Sequence, residues 1–363
     1  MFELLNNTVL EPEFSDQGVD CYRLSGKQML NQYYIVSEEG TRKLLNQPEV
    51  VGYEVYQCLL NATTRMMQHF HEKGMVSSAN ILSILRGALN YPMEESCYRS
   101  GICVHDISFL SSERVFEEDE IAGLEIKYSK LAAVPDSTLL IGDIIATGDT
   151  LVHCLHYVMD YYKKHHVSLR NIIAFTIGGN TGIEIMEKLT KEIRKFWPEF
   201  EGFICVYYEG IFNTYKDKGV SGINLPYVDF YWKDGVVAPA YRRQTLQTRN
   251  TLFEKCIIYD GGARRYEIQD HIHEVLEYWE GILARADQID LKALTDEKLG
   301  YQTPIDFAEW KRLNHYEKLA DAELKALYQQ EQAYLTGLTG VSVREIAEQR
   351  IAEFTAALKQ YIL

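Results

Sequence analysis

Between residues 80 and 208 short β-rich apolar runs alternate with stretches of helical periodicity, and no other feature of the chain restricts its fold so much. Residues 80–85, 101–110, 139–145, 171–177 and 202–208 read as strands, and about 149–165 and 182–196 as helices. Parallel neighbours in a sheet need a crossover, so this alternation predicts an α/β fold, a mostly parallel sheet flanked by helices. Upstream, residues 38–73 carry two helical stretches broken at Gln47-Pro48 and closed by Gly74, a lead-in helical hairpin. Past about residue 245 the strand signals fade apart from 255–259. There 264–286, 305–335 and 343–363 space their apolar residues by three and four, which predicts a C-terminal α-helical region. The chain divides on this reading into an N-terminal segment (1–36), an α/β domain (37–245) and a helical C-terminal extension (246–363).

Composition narrows the classes of partner. With 37 basic against 52 acidic residues the formal net charge is −15, so there is no sequence-wide electrostatic footprint for nucleic acid or anionic lipid. The seven cysteines are scattered and form no C-x-x-C pair, which predicts reduced thiols. The N-terminus lacks a basic region followed by an apolar stretch, and no uncharged apolar run reaches the ~18 residues of a membrane span. A cytoplasmic protein without nucleic-acid or membrane partners is expected.

The segment most suggestive of chemistry is Leu139-Leu140-Ile141-Gly142-Asp143-Ile144-Ile145-Ala146-Thr147-Gly148-Asp149-Thr150, followed at once by an amphipathic helix. A buried strand ends in an acid, passes through a Thr- and Gly-containing loop and opens a helix. Such a loop makes a phosphate cradle: Gly148 admits close backbone approach, Thr147 and Thr150 donate, and the helix N-terminus turns its N–H groups toward an anion. Asp143, at the carboxyl end of the strand, is placed to accept from a ribose diol. An ordinary strand-to-helix turn capped by Asp149 or Thr150 has the same sequence. About 55 residues upstream a second strand ends in Arg86-Gly87-Ala88, which puts a guanidinium and a compact loop at the same sheet edge. That Arg can hold a pyrophosphate through paired hydrogen bonds, or be a surface Arg in a turn.

Together these loops resemble the type I phosphoribosyltransferases, whose signature is a hydrophobic strand, one or two acids, then a loop ending Thr-Gly-x-Thr/Ser. The uracil phosphoribosyltransferase branch is the most similar, through residues 50–59, the Ile84–Ala88 loop, Arg114 running into Tyr128-Ser129-Lys130-Leu131, Ala146-Thr147-Gly148, and Gly182-Ile183-Glu184. The match extends over roughly residues 45–235, about half the chain. The resemblance implies transfer of a 5-phosphoribosyl group from phosphoribosyl pyrophosphate to a nucleobase or related nitrogen acceptor, with release of pyrophosphate. Asp143 would hold the ribose hydroxyls, and the strand end and loop Ile144, Ile145, Ala146, Thr147, Gly148, Asp149 and Thr150 the 5-phosphate. Arg86 with Gly87 and Ala88 would take the pyrophosphate, helped by Arg114 from a mobile loop. Mg2+ would bind mainly through substrate oxygens. A homo-oligomer is also expected.

Several residues depart from that pattern. Gly142 stands where the family has its first acid, and Asp149 stands where it usually has Gly, beside the expected 5-phosphate. Both departures suit a second reading, a regulator that keeps the pocket and has lost catalysis. For the acceptor the resemblance points to the stretch after 203–208, with Asp229 in a Gly- and Pro-containing loop. Tyr227, Phe230, Tyr231 and Trp232 are able to stack on a planar base or to pack in a core. His153 and His156, one helical turn apart, have no matching Cys, Asp or Glu set in the sequence and read as surface or partly buried side chains.

Overall fold

The computed structural model describes residues 5–27, 29–85, 87–117, 120–145, 148–214, 219–220, 230–255 and 267–361. Its centre is a sheet built from six parallel strands. They are β3 (Gln32–Glu38), β4 (Ser78–Leu85), β5 (Cys103–Glu117), β7 (Ser137–Ile145), β8 (Leu169–Gly179) and β9 (Gly202–Thr214). Four antiparallel strands complete it: β1 (Thr8–Asp16), β2 (Val19–Gly26), β6 (Glu120–Lys130) and β10 (Phe230–Val237). The order is β1-β2-β3-β9-β8-β7-β4-β5-β6, with β10 added beside β9. The central strands are apolar because both of their faces are covered. Nearly every residue of β8 is buried, as expected for a parallel sheet between two helical layers.

Two neighbouring residues of β9 define those layers. The Tyr208 hydroxyl meets Thr63 of α2 (Tyr53–Glu72) at 2.6 Å. The Tyr207 hydroxyl sits 3.0 Å from where a Cβ on Gly182 of α5 (Thr181–Ile193) would lie. Successive strand residues point to opposite faces, so α2 and α5 cover opposite sides of the sheet. α1 (Glu39–Asn46) and α3 (Met93–Arg99) pack with α2, and α4 (Asp149–Lys164) packs with α5. The α/β architecture and the C-terminal helices are therefore as the periodicity predicts. The expected helical hairpin is α1 and α2. Missed were the parallel strand β3 and the antiparallel strands: β1 and β2 turn at Gln17-Gly18, both at positive φ, without the Asn-Gly or Asp-Gly that advertises such a hairpin. They extend the same sheet with residues taken as a lead segment.

α6 (Pro239–Thr245) follows β10, and the C-terminal helices are α7 (Ile268–Ala284), α8 (Leu291–Leu299), α9 (Phe307–Leu313), α10 (Asp321–Gly337) and α11 (Val343–Leu358). Most of the strand expected at 255–259 lies outside the described residues. A buried ion pair fixes the extension to the core: Arg242 on α6 donates to Glu331 on α10 at 2.7 Å and to Tyr301 at 3.0 Å, and it also donates to Asn314. Its guanidinium lies 4.5 Å over the Trp232 ring. Trp310 Nε1 donates to the same Glu331 carboxylate at 3.0 Å, so both charges are dehydrated but richly hydrogen-bonded, the condition under which a buried pair is tolerated.

β9 changes partners along its length. Residues 204–208 pair with β3, and from Gly210 onward the strand pairs with β10. The change occurs at Glu209, whose φ of +64° is a costly backbone conformation for a residue with a side chain. Its carboxylate, fully buried, accepts from the Glu38 amide at 2.9 Å and from the Thr41 hydroxyl at the start of α1. Burial pushes its pKa up to about 7, against the lowering effect of those donors. A carboxyl whose folded pKa exceeds its unfolded value of 4.5 adds stability that is complete below 4.5 and is lost as pH rises through about 7. Glu209→Gln removes that dependence. Between about pH 5 and about pH 8 the variant should gain on the wild type by roughly 3 kcal/mol, read from urea unfolding at each pH. An unchanged difference across the range would contradict the placement of this carboxylate.

Candidate functional site

The position of the crevice follows from strand order. From β4 the chain moves to β5 on one side, returns through β6, and resumes at β7 on the other side of β4. The loops after β4 and β7 therefore diverge, and in open α/β sheets ligands bind in the crevice this opens at the carboxyl ends of the strands. The two segments that the sequence marks as anion-binding are the ones on either side of it.

Asn90 ties these loops together. It lies in a short 3-10 turn, Ala88–Asn90, and its Nδ2 donates to the carbonyls of Ile84 and Gly87, both at 3.4 Å. Its Oδ1 accepts from the Gly142 amide on β7 at 3.1 Å. A Cβ on Gly142 would overlap the Leu89 carbonyl and stand 2.9 Å from the Asn90 nitrogen, both backbone atoms. Gly142 is thus a point of backbone approach, and the first acid of the resembling signature has no room there. The next residue, Asp143, is half-buried and accepts from the Ile144 amide at 2.9 Å. Its Oδ1 is 3.2 Å from the position of a Cβ on Gly87, so the carboxylate and the β4 loop share one space.

Beyond Asp143 the chain turns into α4. Gly148 holds φ at +78° as the N-cap, and among the described residues no side chain caps the helix. Neither Asp149 nor Thr150 is the cap, since both lie inside α4. Asp149 is an exposed first-turn residue and Thr150 is half-buried. A second helix start is close by, since a Cβ on Gly148 would overlap Ile185 of α5. Gly182 and Gly178 crowd Ile145 in the same way. Ile145 is buried and Ile144, partly buried, packs against the core. An uncapped N-terminus of a long helix beside a left-handed glycine is a ready anion site.

Arg86, Ala146, Thr147 and Asp229 fall outside the described residues, as do the side chains of Ala88 and Arg114. The backbone of Arg114 is described, and it differs from the expectation of a loop: Arg114 lies within β5, paired with Leu124 of β6. On the acceptor side Tyr227 is likewise outside the described residues, and Trp232 is buried against Tyr241 and Arg242, so it packs and does not offer a stacking face. His156 meets Glu192 at 3.1 Å. Among the described residues no group of three or more His, Cys, Asp or Glu side chains is placed to hold a metal ion, and no helix is long and apolar enough to cross a membrane. Sequence reasoning missed Asn90 entirely. Gly142 did carry a signal, because a lone glycine inside an apolar strand marks close backbone approach.

No protein-family model and no curated protein matches the chain. Among solved structures, a protein of Aquifex aeolicus is 18% identical over 48% of this chain and 86% of its own, with a TM-score of 0.35. A hypoxanthine phosphoribosyltransferase of Staphylococcus aureus is 17% identical, with a TM-score of 0.24. It is matched over 32% of this chain and 63% of its own, less than two thirds of its length. The hypoxanthine-guanine phosphoribosyltransferase of L. donovani is 12% identical over 37% and 76%, with a TM-score of 0.28. Likenesses at this level do not establish a family for the chain, and the two transferases named are hypoxanthine and hypoxanthine-guanine enzymes, so nothing in them singles out the uracil branch.

Because Gly142 abuts backbone and not a movable side chain, Gly142→Ala should cost about 1–3 kcal/mol in urea unfolding. Gly142→Asp, which restores the expected acid, should cost at least as much. A variant as stable as the wild type would show that the Asn90 turn does not press on β7.

Proposed function

We propose that the chain transfers a 5-phosphoribosyl group from phosphoribosyl pyrophosphate to a nucleobase or related nitrogen acceptor. The observation that carries this reading is the meeting of Asp143 with the Gly87 loop at the strand switch, beside the uncapped start of α4. A phosphorylated pentose with a second anionic group on C1 needs one carboxylate for its hydroxyls and two anion sites on either side. In this reading the 5-phosphate lies on the loop Ala146 to Thr150, the ribose hydroxyls on Asp143, and the pyrophosphate on Arg86, Gly87 and Ala88 with Arg114 from the β5–β6 hairpin. The remaining direction along the sheet edge, over β8 and β9, is left for the acceptor.

The reaction breaks the bond from ribose C1 to a pyrophosphate oxygen, whose electron pair leaves with pyrophosphate. A C1–N bond forms, and the acceptor nitrogen gives up a proton. Charge separates in the transition state, so the work of the protein is positioning and electrostatic support, with no covalent intermediate required. A single carboxylate beside a polyphosphate suits a hydrated Mg2+ held mostly by substrate oxygens, where it would offset the charge of the leaving group. Asp143 then orients the ribose hydroxyls, and the α4 amides fix the far phosphate.

One observation favours a second reading. Gly142 denies the site its first acid by a backbone constraint, which leaves Asp143 as the acid at the end of β7. A pocket of that kind serves a regulator that binds phosphoribosyl pyrophosphate or a nucleotide without turning it over.

The deciding assay is magnesium-dependent pyrophosphate release with uracil, adenine, guanine, hypoxanthine and xanthine, and without acceptor. Release dependent on one base is expected, and Asp143→Asn should lower it by about a hundredfold or more while the unfolding midpoint stays put. Full activity in Asp143→Asn would contradict the assigned role. Tight binding with no release from any base would rule out these five bases as acceptors and favour the regulator over a nucleobase transferase.

A further inference from the structure

α8 lays one face against the protein: Leu294, Thr295, Lys298 and Leu299 are buried. The spacing that buries Leu294 and Leu299 calls for an apolar residue at 298 as well, and the chain has a lysine there, 6% exposed. A long aliphatic stem lets such a side chain cross apolar packing, but a buried lysine almost always has a partner for its charge. The Lys298 ammonium stands 4.5 Å over the ring of Tyr231 and forms no ion pair or hydrogen bond among the described residues. A ring face offsets only part of the cost of dehydrating a cation. The carboxylates next to it in sequence are engaged elsewhere. Asp296 holds Lys292 at 2.6 Å and the Thr303 amide at 3.0 Å, and Glu297 accepts from the Val220 amide at 2.7 Å.

Lys298 shares the lining of a cavity of about 30 Å³ with Phe212, Trp232, Tyr241, Thr245 and Glu254. The cavity lies where α8 meets α6, the ends of β9 and β10, and the 3-10 turn Thr251–Phe253. Glu254 does not neutralise the lysine. Its carboxylate is taken by Arg350, by Trp279 Nε1 at 3.0 Å and by Asn250 at 3.1 Å. A second donor adjoins the cavity through Thr245, whose hydroxyl donates to Asn46 Oδ1 at 2.8 Å. That contact leaves Asn46 Nδ2 buried and without an acceptor among the described residues. Two dehydrated donors, one of them charged, thus lie at one small cavity. One water needs ~10–15 Å³ by such a measure, so the space suits a group of two or three atoms and excludes a phosphate ester or a base.

We propose that this cavity is a binding site for a small monovalent anion of the formate or chloride class, with Lys298 as its charged ligand. The anion supplies the partner that the chain itself does not give the lysine, and it lies between α8 of the extension and α6 and β10. Anion binding therefore holds the extension on the core. The site uses no residue of the β4/β7 crevice, and the inference is independent of the phosphoribosyl-transfer reading.

The test is urea unfolding of the full chain at constant ionic strength, with sodium formate or chloride replacing sodium gluconate, an anion too large to enter. The midpoint of the wild type should rise with formate and with chloride. Above the dissociation constant each further tenfold of formate should raise the folding constant about tenfold. Lys298→Met, which keeps the length of the side chain and removes its charge, should show no difference between formate and gluconate. Lys292→Met, which removes an exposed lysine of the same helix, should keep the wild-type response. A wild-type midpoint that is the same in formate, chloride and gluconate would overturn the proposal, and that comparison needs no variant. An equal formate response in the wild type and Lys298→Met would overturn it as well.

Discussion

Asn90 donates to two carbonyls of its own turn and accepts from the amide of Gly142, and this bridge sets the distance between the loop after β4 and the strand β7. The approach depends on the missing side chain at Gly142. With the turn seated, Gly87 comes within reach of Asp143, and Asp143 sits at the strand end from which the chain proceeds to the left-handed Gly148 and α4. The functional geometry is thus an outcome of backbone packing at one position. The neighbouring elements follow along the chain from it: the carboxylate at the switch point and the start of α4 at Gly148.

The same constraint explains why the site departs from the signature it resembles. A second carboxylate at 142 would have to enter the backbone of Leu89 and Asn90. The protein has a tight turn-to-strand contact in its place, with Asp143 the acid that follows it on β7. On the other flank, the exposed Asp149 occupies the first turn of α4, where a carboxylate is favoured by the helix dipole when no anion is bound. That side chain has room in solvent and does not serve as the cap.

Much of the central sheet was legible because its strands are buried on both faces. β4, β7, β8 and β9 are near-continuous apolar runs, and their order along the chain with intervening helices predicts a parallel sheet. β1, β2, β6 and β10 were not legible. They pair antiparallel at the edges, they mix charged with apolar residues, and β6 forms a hairpin arm with β5 that reads as a loop from composition alone. The two loops at the β4 and β7 strand ends could be singled out from residue types and spacing, since glycine, threonine and acid at a strand end have a local meaning. Asn90, Glu209 and Glu297 could not, because each acts on a residue far away in the sequence: Gly142, Thr41 and Val220. Trp232 illustrates the converse, an aromatic for which the sequence leaves stacking on a base and packing in a core both open and whose ring packs under Arg242.

The central claim is that the paired loops at the β4/β7 switch receive phosphoribosyl pyrophosphate, and the most direct measurement is hydrogen exchange of the full chain with and without that ligand and magnesium. Amides of residues 87–90 and 148–152 should exchange more slowly when it is bound, with the C-terminal helices α10 and α11 unchanged. Protection confined to the extension, or none at saturating ligand, would contradict the account.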